Sequence, residues 1–129
     1  MKRAIIGFAM ALTVTAAANA QSVMGMQTPL GNVLTDEMGM TLYTFDRDTQ
    51  GGPTSACEGN CLVNWPPFLA AEGAAAHDEW TLVDVNHEGA VKKMWARDGW
   101  PLYYWRMDVA PGDVSGDGVG GVWHVIVVE

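Results

Sequence analysis

Tyr43, Phe45 and Asp48 recur as Tyr103, Trp105 and Asp108, each displaced by 60 residues. These are the residue types through which the chain can do chemistry. A phenol donates or accepts a hydrogen bond, an ionised carboxylate only accepts, and an aromatic face can stack on a ligand or on another ring. The full segment reads Gly-x-x-Leu-Tyr-x-aromatic-x-x-Asp in both copies, from Gly39 to Asp48 and from Gly99 to Asp108. Side chains alternate along a strand, so Tyr43 and Phe45 share one face, as do Tyr103 and Trp105, while Leu42 and Leu102 point the other way. Each Asp is out of step with its Tyr, so the strand ends or bulges before it. An Asp there accepts from loop N–H groups or from a tyrosine hydroxyl. Two uses fit: a hairpin locked by aromatic and Asp contacts, or a paired aromatic and acidic site for a small molecule or a protein.

Other constellations carry less. Met24-Gly25-Met26 and Met38-Gly39-Met40 are Met-x-Met pairs, and thioethers with an imidazole suit Cu(I). Met38, Met40 and His124 are therefore the candidate ligands of a periplasmic copper-binding protein, the alternative function. Asp113 to Gly118 opens like a calcium loop, but its twelfth position is His124 instead of the bidentate Glu that such a loop needs. Catalysis is not expected. There is no Gly-x-Ser-x-Gly elbow, and a hydrolase built on carboxylate pairs is the weakest of the three functions weighed. Cys57 and Cys61 are spaced Cys-x-x-x-Cys in loop-like surroundings, which suits one structural disulfide better than a thiol–disulfide oxidoreductase.

With Cys57…Cys61, Trp65-Pro66-Pro67, Pro111-Gly112-Asp113 and Gly121-Val122-Trp123-His124-Val125, the two motif copies resemble the bacterial "secreted repeat of unknown function" family. The resemblance runs from about Thr28 to Val128. Members of that family are often predicted lipoproteins with a Tyr-x-(Phe/Trp/Tyr)-x-x-Asp motif, and both copies of it are intact. The resemblance implies an exported bacterial protein and no particular reaction. No lipid-attachment Cys stands near the leader, so a lipid anchor is not carried over.

The elements that must position these residues are short. Val33–Thr35 and Met40–Asp46 read as strands around an Asp36–Gly39 turn. Residues 21–32 read as a loosely held lead-in, Leu62–Trp65 as one helical turn, and Ala70–His77 as a surface loop or short helix. Trp80–Val85, Val91–Ala96, Leu102–Met107 and Val122–Val128 read as strands, separated by turns at Glu88-Gly89 and Asp98-Gly99 and by a Gly-rich loop. The last of them suits a central or doubly covered strand. The expected fold is all-β: a small antiparallel sheet or sandwich of two pseudo-repeated hairpin units, about 31–67 and 89–128, with short helical turns in loops.

Composition and charge bound the rest. Lys2 and Arg3, an apolar run too short to span a bilayer, and Ala18-Asn19-Ala20 read as a signal peptide over 1–20. One exported domain of 109 residues (129 − 20) is left, with 5 basic against 15 acidic side chains and a net charge of −10. That charge argues against nucleic acid and anionic lipid as partners. The expected product is a periplasmic or secreted, non-catalytic binding or scaffold domain with no cofactor and no membrane anchor after cleavage.

Overall fold

The computed structural model describes residues 23–128, so the expected leader lies outside the described residues. The chain runs β1 (Val23–Thr28), β2 (Gly31–Asp36), β3 (Tyr43–Phe45), α1 (Asn60–Asn64), β4 (Trp80–His87), β5 (Ala90–Arg97), β6 (Trp100–Pro101) and β7 (Trp123–Val125). All pairings between these strands are antiparallel: β1 with β2, β3 with β7, and β4 with β5 with β6. The fold is all-β, as the alternation of apolar residues requires. Turn chemistry closes the hairpins where expected. Glu88-Gly89 and Asp98-Gly99 both take positive φ, the combination that a two-residue hairpin loop needs, and Gly39 takes φ 86° in the Asp36–Gly39 turn.

Five segments differ from the sequence reading. The strand expected over Met40–Asp46 shortens to β3, preceded by an isolated bridge from Thr41 to Thr35. The lead-in is an ordered strand: β1 pairs residue for residue with β2, and Thr28 Oγ1 closes the turn by donating to Gly31 O at 2.8 Å. Only Val23 and Thr28 of β1 are β-branched and Gly25 disfavours a strand, so the pairing comes from β2 more than from local preference. The strand expected over Leu102–Met107 reduces to Trp100–Pro101 plus bridges at Tyr103, because the chain must turn to bring Asp108 back into the core. The terminal strand is β7 alone, followed by a bridge from Val127 to Val33, with Val127 exposed. The helical turn expected at Leu62–Trp65 is α1, which begins two residues and ends one residue earlier, while residues 70–77 form a loop, one of the two forms expected.

The two copies meet at one point. Tyr43 N–H donates to Tyr103 O at 2.8 Å and Tyr103 N–H to Tyr43 O at 2.9 Å. This reciprocal pair lies on an approximate twofold relation between the halves. Alternation then divides the core as strand geometry demands. Tyr43, Phe45, Trp65, Tyr103 and Trp123 fill one cluster, with Trp105 packed against it. Leu34, Leu42, Phe68, Trp80, Trp95 and Leu102 fill the other.

Candidate functional site

Each motif tyrosine reaches the aspartate of the opposite copy. Tyr43 donates its hydroxyl to Asp108 Oδ2 at 2.6 Å, and Tyr103 donates to Asp48 Oδ2 at 2.8 Å. The strand β3 ends at Phe45, and a turn in which Asp48 N–H donates to Phe45 O swings the carboxylate inward; Asp108 N–H and Trp105 O repeat the arrangement. The second carboxylate oxygen ties down the following loop. Asp48 Oδ1 accepts from Ala56 N–H at 2.7 Å, while Asp108 Oδ1 accepts from Ser115 N–H at 3.0 Å and Ser115 Oγ at 2.6 Å. Ser55 Oγ lies 2.6 Å from the Tyr103 hydroxyl, and Gly116 N–H donates to the Tyr43 oxygen at 3.1 Å. The chain's third tyrosine follows the same rule: Tyr104 donates to Asp36 Oδ2 at 2.8 Å.

Rings complete the site. Phe45, Trp123, Trp65 and Trp105 form a continuous stack, with centroid separations of 4.1, 3.8 and 4.1 Å and interplanar angles of 9°, 2° and 29°. Tyr43 sets its edge on Trp65 at 5.4 Å and Tyr103 its edge on Trp123 at 5.2 Å. Trp65 and Trp123 are thus counterparts, 58 residues apart instead of 60 because the loops before them differ in length. A pair in either geometry adds roughly 0.5–1.5 kcal/mol beyond area burial, so this cluster is a principal source of cohesion between the halves.

Burial decides the electrostatics. Tyr43 and Tyr103 are 0% exposed, Asp48 6% and Asp108 8%. Burial, and then the bonded carboxylate, holds the Tyr43 hydroxyl well above its ordinary value, and burial and the Asp48 charge do the same for Tyr103. Tyr104 is raised by burial and by its bond to Asp36. Asp48 is also raised, since the cost of burying its charge exceeds what the Ala56 and Tyr103 hydrogen bonds return. All three phenols are therefore fixed donors at neutral pH.

The structure thus brings Tyr43, Phe45, Asp48, Tyr103 and Asp108 together inside the core, with Trp105 partly buried against them, and not along a groove. Ser55 and Ser115 belong to the same constellation. Their offset of 60 was legible, although a serine in a Gly-rich loop reads first as turn chemistry. Cys57 and Cys61 form the expected disulfide, with Cα atoms 5.3 Å apart, where the chain enters α1. Of the copper candidates, Met40 is partly buried. Met38 is 71% exposed, and His124 Nε2 lies 2.8 Å from Asp46 Oδ2. The calcium-like loop turns its acids onto the backbone: Asp113 Oδ2 accepts from Val109 and Ala110 N–H, which lowers its pKa, and Asp117 Oδ1 accepts from Val125 N–H. Among the described residues no group of three or more His, Cys, Asp and Glu side chains is placed to hold a metal ion, and no helix is long and apolar enough to cross a membrane.

An open concavity lies elsewhere. A groove of about 730 Å³ runs between α1, through Gly59, Leu62, Val63 and Pro66, and the β4–β5 turn at Asn86–Gly89. Val63 is 63% exposed on its wall.

A family model described as a secreted repeat of unknown function matches the chain twice, over residues 25–68 and 91–127. The two matched segments are the two halves that exchange tyrosine–aspartate contacts. No curated protein and no solved structure matches the chain.

Proposed function

The chain belongs to this family of exported secreted repeats, and from that premise we propose that it is a non-catalytic periplasmic or secreted binding domain. In this reading the repeated motif builds the scaffold, and the groove beside α1 takes the ligand. The observation that carries it is the burial of the motif. The two motif carboxylates, Asp48 and Asp108, are 6% and 8% exposed, and every one of their oxygens has a protein donor. A reacting substrate has no access to them. The groove, in contrast, combines an apolar wall at Leu62, Val63 and Pro66 with polar groups at Asn86, His87 and Glu88, the usual composition of a small-molecule site. Its occupant is a small, largely apolar molecule without negative charge, given the acidity of the chain. The copper alternative has weaker support, because His124 is engaged by Asp46 and the Met38 thioether is in solvent.

The test uses the neutral dye N-phenylnaphthylamine, whose fluorescence rises in apolar surroundings. Dye emission should increase with the wild-type chain and fall back with Val63→Glu, while Val109→Glu, at an exposed position outside the groove, leaves it unchanged. Emission that does not respond to the chain, or that Val63→Glu leaves intact, sinks the groove as the binding surface.

A further inference from the structure

The two halves differ at one ring of the four-ring stack. Trp105 occupies the outer position in one half and Phe45 the equivalent position in the other, each 4.1 Å from the inner tryptophan of the stack. An indole gives up an electron far more readily than a phenyl ring. Trp105 is also only partly buried, whereas Phe45 and both inner tryptophans are buried. The stack therefore has one oxidisable end that reaches solvent, and its other end is closed by a ring that resists oxidation.

Behind that end lies a proton-coupled terminus. Trp65 stacks on Trp105 and meets the edge of Tyr43 at 5.4 Å, and Tyr43 already donates its proton to Asp108 Oδ2 at 2.6 Å. A buried phenol cannot be oxidised cheaply unless its proton leaves with the electron, and here a bonded acceptor is in place. The Trp65–Trp123 contact, at 3.8 Å and 2°, extends the path to the second terminus, Tyr103 on Asp48.

We infer that the chain is a one-electron relay: Trp105 accepts an oxidising equivalent at the surface, and the Tyr43–Asp108 pair holds it in the core. The oxidant belongs to the class of high-potential outer-sphere metal complexes or the oxidised metal centre of a redox partner. In the balanced step the oxidant takes one electron from Trp105 and is reduced by one. Trp65 refills Trp105, and Tyr43 refills Trp65. The phenolic proton passes to Asp108, leaving a neutral tyrosyl radical beside a carboxylic acid. A cationic oxidant is favoured, because the exported chain carries 15 acidic against 5 basic side chains.

The experiment is flash photolysis of the mature chain with a ruthenium polypyridyl complex and a sacrificial electron acceptor, followed by electron paramagnetic resonance. A neutral tyrosyl radical is expected, forming more slowly in D2O because a proton moves. Trp105→Phe should abolish it, and Trp100→Phe and Tyr104→Phe should leave it intact. The circular-dichroism couplet of the Trp65–Trp123 stack confirms that each variant keeps its core, so a lost signal is not lost folding. An undiminished radical in Trp105→Phe, a radical that vanishes with Tyr104→Phe, or a formation rate indifferent to D2O overturns the relay.

Discussion

At the scale of single residues, the chain commits all three of its tyrosines to aspartates of the other half. Removing one hydroxyl leaves a buried carboxylate oxygen without its donor. Tyr43→Phe should therefore cost about 1–3 kcal/mol. A double-mutant cycle with Asp108→Asn should show coupling between the two changes, and strictly additive effects on the unfolding midpoint would contradict the pairing. The pH dependence follows from the same contacts. Burial raises each phenol above its unfolded value of about 10, so the stability these groups contribute is complete below about pH 10. It is lost as the pH rises toward the folded-state values, because the unfolded chain ionises first. Tyrosinate absorbance should then appear together with unfolding in one alkaline transition. A tyrosine that titrates while circular dichroism still reports the native fold would refute this. The motif residues and their shared face were legible from register and parity. Which aspartate each tyrosine would meet was not, because strand parity assigns a face and is silent about which half lies across it.

At the scale of elements, the hairpin turns were legible because a glycine, free to take positive φ, stands at Gly89 and Gly99 between the strand segments. Strand β1 was not. Its sequence lacks β-branched and aromatic residues beyond Val23 and Thr28, and only the complementary edge of β2 makes it a strand. Trp65 was legible only as a tryptophan before two prolines, since its counterpart Trp123 falls out of the 60-residue register. The loop at Gly116 shows how closely elements are fitted to the stack. A Cβ there would lie 2.8 Å from Tyr43, 2.9 Å from Trp105 and 2.9 Å from Trp65. Gly116→Ala must push three rings apart, at a cost of about 1–3 kcal/mol. Its melting temperature should drop by several degrees, and an unchanged value would mean that the loop is not seated against the rings.

At the scale of the whole molecule, neither half contains its own clamp, and the disulfide staples only the first half to itself. The halves are held by the reciprocal Tyr43–Tyr103 backbone pair, the β3–β7 ladder and the aromatic stack. Between them, Ala71, Glu72 and Gly73 lie exposed in a loop. A protease site inserted after Gly73 should be cut without separating the halves. The nicked chain should elute as one species and unfold in a single transition, whereas release of either fragment would show that the covalent link and not the interface joins them. A chain with one repeat would own a tyrosine and an aspartate that cannot reach each other, and could satisfy them only by pairing with an identical chain. The protein is thus built as a tethered homodimer. Tethering lifts the constraint that identical subunits impose: the two sides can diverge, as Phe45 and Trp105 have, so one molecule can present a feature on one side that a true dimer would have to present on both.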